Sequence, residues 1–599
     1  MHPHPPGVRM ITPDHSLTFS NLASVNFTLS EHTLPTAPDV RMIQDIQNNT
    51  LPARNGEQLM SWTKGCYFGK SGQDDVALCW QDMEALQSFC VGIESPERGF
   101  FKPIQSHYKT KYNDGTTNSP WAFPSDNPSD PYTFPSSMNY HITYVKKGKA
   151  VVLPGLGFRH EVIMPTSSMR WVQTQPEDML SPTEAFAEVD QVHYALGDSR
   201  YVTDAWQGHL VKTDLNAVLE NICAAMNNEL GAAFDKWFGT STDWKEIDLF
   251  ASIRMVVAQA AGRFTIGLPM CRNEEYINVN YQIIDQLITN AGACGGSPRI
   301  LRPLMGVLVN LPIHNRIRKL RNMFEPIWNE RVESLKYDKD DPVHPQPQDH
   351  LQMMARYAQK YRVEEFNSLD CMTKRLIAAN FGSMHQTSIQ ATNMLLNIIA
   401  SDSEFNTVAI LRDEVSRILY EDGGDSWTKA KVSKMVKADS VARETLRLNS
   451  FGGRALFRKV MVDGFKGPDG THLPKNTLIS FLGQPAATDG ETFEDPLKYD
   501  PFRFSRIRED AAAKDEKAPP ISFVTTGPEY LPFGHGKHAC PGRFLIDFEL
   551  KMIIAYVLGH YDIEFPPEYN GQRPPNYWLT EALFPPDNAK IRIRRKTKA

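Results

Sequence analysis

No stretch of this 599-residue sequence holds the roughly 20 consecutive apolar residues that a helix needs to cross a bilayer. The best candidate, LRPLMGVLVNLPI from Leu301, is interrupted by Arg302 and two prolines, so the sequence as written spans no membrane. The opening MHPHPPGVRM has no apolar run after its arginine and does not read as a signal peptide. Cysteine is scarce too. Eight cysteines (Cys66, Cys79, Cys90, Cys223, Cys271, Cys294, Cys371 and Cys540) lie without pattern, which excludes a secreted disulfide framework and favours a reducing, intracellular compartment. An excess of one charge is also missing. Lys+Arg 64 against Asp+Glu 70 gives a net charge of -6, too balanced for a protein whose main partner is nucleic acid. With 41% hydrophobic and 22% charged residues, the composition is globular, not collagenous, coiled-coil or wholly disordered.

Residues 1–139 are prolyl, polar and aperiodic, and Tyr112 to Ser136 is dominated by turn formers, so this part reads as a partly disordered N-terminal extension. Its GCYFGKS at Gly65 is one residue too short between the glycines to wrap a phosphate. The sequons at Asn26 and Asn48 read as chance in a chain without a secretion signal. From Tyr140 the texture changes, and residues 140–599 read as one domain. AVVLP (Ala150–Pro154) and EVIMP (Glu161–Pro165) flank a glycine-containing turn and predict a hairpin. Helical periodicity follows over Val279–Ala291, over Phe405–Tyr420 behind a Ser403 cap, over Met435–Leu448 and over Phe544–Leu558. TLISFLG at Thr477 is strand-like, and the tail KIRIRRKTK predicts a solvated edge strand.

One cysteine stands in an unusual setting. Phe533 to Gly542 reads FGHGKHACPG, immediately before the amphipathic helix that begins near Arg543. A helix N-terminus offers free backbone N–H groups and a favourable dipole, both of which stabilise a thiolate. Gly536 permits a tight bend, Gly542 lets the helix approach a flat cofactor, Pro541 suits a first helical position and Phe533 can shield the sulfur. A buried structural cysteine would not require these glycines. A zinc site from His535, His538 and Cys540 has cramped spacing and no partner pair, and a nucleophilic cysteine has no catalytic signature around it. The spacing F-x-x-G-x-x-x-C-x-G, taken whole, reads as a haem-thiolate loop, with Cys540 as the metal ligand.

On these residues the sequence resembles the cytochrome P-450 family, whose haem iron is held by a cysteine thiolate. Phe533, Gly536, Cys540 and Gly542 fall on the family signature, and His538 sits where members often carry an Arg that contacts a haem propionate. The string HACPGRF looks like many fungal members. Glu444 and Arg447, at i and i+3 in ETLR, pair on one helix face. In the resemblance they join Arg503 of YDPFRF (Tyr499–Phe504) in a buried triad that steadies the haem-binding core. Arg458 matches a propionate-pairing position, while Trp206 and His209 in AWQGHLVKTDL resemble contacts at the haem edge; core packing accounts for Trp206 equally well.

The family's central helix usually carries A-G-x-D/E-T-T, an acid and an alcohol that deliver protons to dioxygen. The matching stretch is GSMHQT from Gly382, so His385 replaces the acid, Gln386 replaces the threonine and Thr387 follows. An amide donates hydrogen bonds but does not relay a proton as a hydroxyl does. Thr387 is rotated by about 100° around a regular helix and does not simply substitute.

The resemblance covers Tyr140 to the C-terminus. It implies a mainly α fold, a helical haem-binding domain with a small β-sheet region, and haem b (iron protoporphyrin IX) as cofactor. It implies a monooxygenase that oxidises a lipophilic substrate, a terpenoid or polyketide-derived secondary metabolite in enzymes resembling ent-kaurene oxidase. Electrons would come from NADPH through NADPH-cytochrome P-450 reductase. It also implies endoplasmic reticulum association; the usual N-terminal membrane helix is not in the sequence as written, so the protein is soluble or peripherally bound, or the written N-terminus is not the natural one. Gln386 motivates an alternative, a haem-thiolate isomerase or dehydratase that acts on a pre-oxidised substrate without a reductase.

Overall fold

The computed structural model describes residues 145–154, 160–215, 217–298, 300–420, 427–517, 519–579 and 582–597, together with short backbone strands between residues 19 and 122. The sequons at Asn26 and Asn48 and most of the 1–139 extension lie outside the described residues. Within that region the GCYFGKS stretch supplies the strand Cys66–Ser71, antiparallel to Asp74–Met83 with Cys66 opposite Cys79.

The chain divides into two compact units, Met1–Ser181 with Phe457–Pro485 and Trp578–Ala582, and Pro182–Leu456 with Ala486–Tyr577 and Leu583–Ala599. In the first, Ala150–Pro154 and His160–Ile163 form the expected antiparallel hairpin, Val151 opposite Ile163. The strand Leu478–Leu482, the TLISFLG patch, runs parallel to His160–Ile163 and is buried along its whole length, as an apolar run without alternation should be.

The second unit is helical. Its elements include α1 (Trp206–Leu210), α2 (Leu219–Trp237), α3 (Leu249–Thr265), α4 (Glu274–Gly296), α5 (Arg302–Ser334), α6 (His350–Tyr361) and α7 (Leu369–Phe405). They continue with α8 (Thr407–Tyr420), α9 (Val436–Leu448), α10 (Arg503–Ala513) and α11 (Arg543–His560). The core is one contiguous apolar cluster to which α2, α3, α4, α7 and α11 all contribute, and α3 packs on both α2 and α7. The central helix α7 starts where the Ser368 side chain accepts from the Cys371 N–H and runs 37 residues without a break.

Two sequence expectations need correction. Ser403 does not cap a helix; it lies in the last turn of α7, which continues to Phe405. The break comes at Asn406, in the left-handed region (φ 53°), and the carboxylate of Asp402 accepts from Val408 N at 2.8 Å to cap α8. Asparagine tolerates this conformation better than most residues. The tail strand Lys590–Arg595 is not an edge. It is the middle strand of three, between Lys245–Asp248 and Tyr561–Glu564, with Ile591 and Ile593 buried and its arginines turned to Asp562, Glu564 and Asp235.

Candidate active site

The loop before α11 is bent by two glycines with positive φ, Gly534 (66°) and Gly536 (72°). Gly536 is the bend that the sequence required. The bend lets Cys540 N–H donate to Phe533 O at 2.8 Å, closing the loop on itself. Phe533 is buried edge-on against Phe523, ring centroids 5.1 Å apart. His535 Nδ1 lies 2.9 Å from Thr526 Oγ1, which engages one member of the rejected zinc trio. His538 ends a short turn Gly536–His538 and is half-buried.

Cys540 presents its sulfur to the backbone N–H groups of Gly542 and Arg543, as expected at a helix start. Burial nevertheless has the larger effect and pushes the thiol above its ordinary range; those N–H groups and the Arg543 charge pull it back only in part. A metal cation is the partner that converts such a group to thiolate. The guanidinium of Arg543 also donates to Cys540 O at 2.8 Å.

The residues beside Cys540 fit a flat, metal-bearing group. A Cβ built on Gly542 would find its nearest protein neighbour, Val211 Cγ1, at 4.0 Å, and Gly542 has ordinary helical φ (-85°). Neither backbone strain nor protein packing demands glycine there, so the position suits a cradle for something laid against it. Arg458, in the first unit, is 3% exposed; Nη1 donates to Phe457 O at 2.8 Å and Nη2 has no protein partner. Burial lowers its pKa to about 10, the signature of a cation short of an anion.

The structure brings Glu444, Arg447 and Arg503 together. Arg447 meets Glu444 through two bonds of 2.7 and 2.8 Å, both side chains being fully buried, and Arg503 Nε donates to the same carboxylate at 3.2 Å. Arg447 Nη1 also donates to Ala487 O and Pro496 O, so the cluster ties α9 to the segment leading into α10.

On α7, Gln386 and Gly382 are exposed, one turn apart, on a helix otherwise largely buried here. Thr387 points elsewhere. It is 3% exposed, and its hydroxyl donates to Ser383 O at 2.8 Å, with α7 regular through this stretch. His385 is buried edge-on against Phe451 and Phe584 (centroids 5.7 and 5.9 Å), and burial pushes its pKa down to about 4. It is a neutral ring at pH 7, so it is no charged stand-in for the family's acid.

His209 is exposed on α1. Trp206 is buried; its indole N–H donates to Glu365 at 3.2 Å and its ring stacks on Tyr357. Its one donor is committed inside the protein, the packing role that the sequence left open. The pair that holds it is invisible in the sequence. Arg375 of α7, fully buried, bonds Glu365 twice at 2.9 Å and also reaches Arg200 O, Asp204 O and Gln207 Oε1. No spacing rule links these segments, because the partners lie about 170 residues apart.

A mainly helical unit that presents one cysteine on a glycine-bent loop, backed by a buried Glu–Arg–Arg cluster, has the architecture of the haem-thiolate proteins. The family model described as cytochrome P-450 matches residues 209–593. The chain is 51% identical over 457 residues to cytochrome P-450 monooxygenase pbrC of Penicillium brasilianum, covering 76% of this chain and 85% of that one. It is 50% identical over 461 residues to cytochrome P-450 monooxygenase astC of Aspergillus terreus, covering 76% and 86%. Among solved structures, a retinoic acid bound cyanobacterial CYP120A1 shares the fold, with a TM-score of 0.55 at 17% identity over 81% of this chain and 96% of that one. This chain belongs to the cytochrome P-450 family, which implies a haem-thiolate cofactor, a reductase as redox partner and a lipophilic substrate.

Proposed function

We propose that the chain is a haem-thiolate monooxygenase. It binds haem b through Cys540, draws electrons from NADPH by way of NADPH-cytochrome P-450 reductase and inserts one atom of dioxygen into a lipophilic organic substrate. The observation that carries this reading is the Cys540 loop, bent by Gly534 and Gly536, closed by Cys540 N–H on Phe533 O and set immediately before α11. The haem, when bound, supplies a redox-active iron whose thiolate ligand favours O–O cleavage.

The remaining work belongs to the protein's own side chains. Phe533 keeps water from the sulfur, and the Glu444–Arg447–Arg503 cluster fixes the core behind it. His538 and exposed His209 serve the propionates, whereas Trp206 holds α1 through Glu365. Gln386 is the polar group on the open face of α7, and the neutral His385 ring with Phe451 and Phe584 makes an apolar wall suited to a terpenoid or polyketide-derived secondary metabolite. The relatives, named monooxygenases, favour oxygenation over the isomerase or dehydratase alternative. Reduced protein under carbon monoxide should show the red-shifted Soret band of thiolate ligation, and Cys540→Ala should abolish it. A histidine-type spectrum in the wild type would refute the reading.

No described helix is long and apolar enough to cross a membrane. Peripheral contact with the endoplasmic reticulum is supported by the start of α5, where Leu301, Leu304, Val307, Leu308 and Leu311 are each about half exposed along one face. From Leu311 to Phe324 the helix carries Arg316, Arg318, Lys319 and Arg321 but no acid, a pattern suited to an interface with anionic headgroups. Leu304→Glu with Leu308→Glu should release the protein from phosphatidylserine-containing vesicles in sedimentation; unchanged binding would reject this face.

A further inference from the structure

Along α7 from Ser383 to Ser388, the polar side chains other than exposed Gln386 are bonded within the protein, with one exception. Ser383 Oγ donates to Asn380 O at 3.3 Å, Thr387 Oγ1 to Ser383 O at 2.8 Å and Ser388 Oγ to Met384 O at 2.7 Å. Ser388 Oγ also lies 2.7 Å from Tyr281 Oη of α4. The exception is His385. It is 6% exposed, yet among the described residues neither ring nitrogen has a hydrogen bond. A neutral imidazole carries one donor and one acceptor, and polar groups in an interior are matched as a rule.

Packing does not account for the nitrogens. His385, Phe451 and Phe584 form a triangle of rings with centroids 5.7, 5.9 and 5.6 Å apart and planes at 85°, 74° and 81°. Edge-to-face contact of this kind suits any aromatic ring, so a third phenylalanine would serve it as well. The Leu583 N–H donates to Phe451 O at 2.8 Å, which ties the two phenylalanine segments together through the backbone. The triangle is therefore a fixed apolar setting with a single unmatched polar group.

The charges around the ring say what kind of ligand would match it. Two charged side chains bear on His385, Asp285 of α4 and Arg254 of α3, and they are bonded to each other, Arg254 Nη2 donating to the two Asp285 oxygens at 2.8 and 2.7 Å. Their effects on the ring are opposed, and burial keeps it neutral at pH 7. The cation of this pair is already matched, so nothing here selects an anionic ligand. A plain hydrocarbon would leave the imidazole unmatched. A hydroxyl both donates and accepts, and so meets either nitrogen.

We propose that His385 is a specificity-determining residue: the substrate is a lipophilic molecule that already carries a hydroxyl, and this hydroxyl bonds the imidazole while the carbon skeleton lies against Phe451 and Phe584. The inference rests on the monooxygenase reading and deepens it by naming the functional group that the site selects. The role is recognition, and no proton transfer is asked of the ring.

The test uses the holoprotein and two pairs of probes with matched carbon skeletons, farnesol with farnesene and menthol with p-menthane, each titrated by the Soret difference spectrum. In at least one pair the wild type should bind the alcohol more tightly. His385→Phe, which keeps the triangle of rings, should cut the ratio of alcohol to hydrocarbon affinity at least fivefold, about the worth of one neutral hydrogen bond. The carbon monoxide band should stay at full amplitude in that variant; His385→Leu gives the same expectation should His385→Phe fail to fold. His385→Gln, which restores a donor and an acceptor, should keep the preference. Phe584→Leu should weaken both members of a pair and leave their ratio unchanged. An equal ratio in wild type and His385→Phe, or a wild type that binds neither alcohol, would overturn the proposal. A wild type lacking the thiolate carbonyl band would instead overturn the parent reading.

Discussion

Replacing Glu444 by Ala tests the buried cluster most sharply, because the carboxylate is the hub of four bonds. It accepts from Arg447 Nε and Nη2, from Arg503 Nε and from Asp500 N, at 2.7 to 3.2 Å. Arg447 and Glu444 are both fully buried, so removing the acid leaves a guanidinium with only backbone carbonyls, those of Ala487 and Pro496 foremost. Leaving one charge of such a pair unmatched costs about 3 to 5 kcal/mol, against a native stability of about 5 to 15 kcal/mol. Glu444→Ala should therefore give little folded holoprotein. Arg503→Ala should cost less, about 1 to 3 kcal/mol, since Arg503 makes one longer bond to the acid and its side chain is 14% exposed. Denaturant titration followed by circular dichroism, with haem content measured beside it, distinguishes the two. The argument fails if Glu444→Ala unfolds at the wild-type denaturant concentration with full haem content.

Acid should destabilise the fold in a defined window. His385 and His350 are buried, and burial depresses both from an ordinary 6.5 to about 4; the unfolded chain then binds more protons between those values, so stability falls as pH drops from about 6.5 to 4. Each shift is worth about 3 kcal/mol at its full extent, and His350→Gln, which can still donate to Gln207 O, should flatten the melting temperature against pH in that window; an unchanged slope refutes the assignment. At the open face of α7, Gln386→Thr should raise the product formed per NADPH consumed, and His385→Ala, which opens the buried wall of His385, Phe451 and Phe584 to water, should lower it, measured with any turned-over substrate. Equal coupling in wild type and Gln386→Thr would mean that protons bypass position 386.

The features that sequence reading reached were those with local causes. The Cys540 loop is ten residues long, and its glycines and proline act on their immediate neighbours, so bend, sulfur and following helix follow from one string. Glu444 and Arg447 pair because i and i+3 share a helix face wherever the helix lies. Arg503 needed the resemblance, since nothing local brings a residue 59 positions away back to Glu444. The errors have the same physical root. Whether the tail strand is an edge depends on a strand more than 340 residues earlier, and Ser403 has a good capping side chain that goes unused because α7 had not yet ended.

The register at the open face joins both lessons. The resemblance placed Gln386 in the alcohol's position, and helix geometry left Thr387 about 100° away. The structure shows the regular helix that this argument needs, with Thr387 buried and bonded to Ser383 O. A distorted helix could have brought the threonine round; an undistorted one with its hydroxyl tied to the i-4 carbonyl does not. At this turn of α7 the exposed side chain is therefore an amide, and the neighbouring threonine hydroxyl is turned inward.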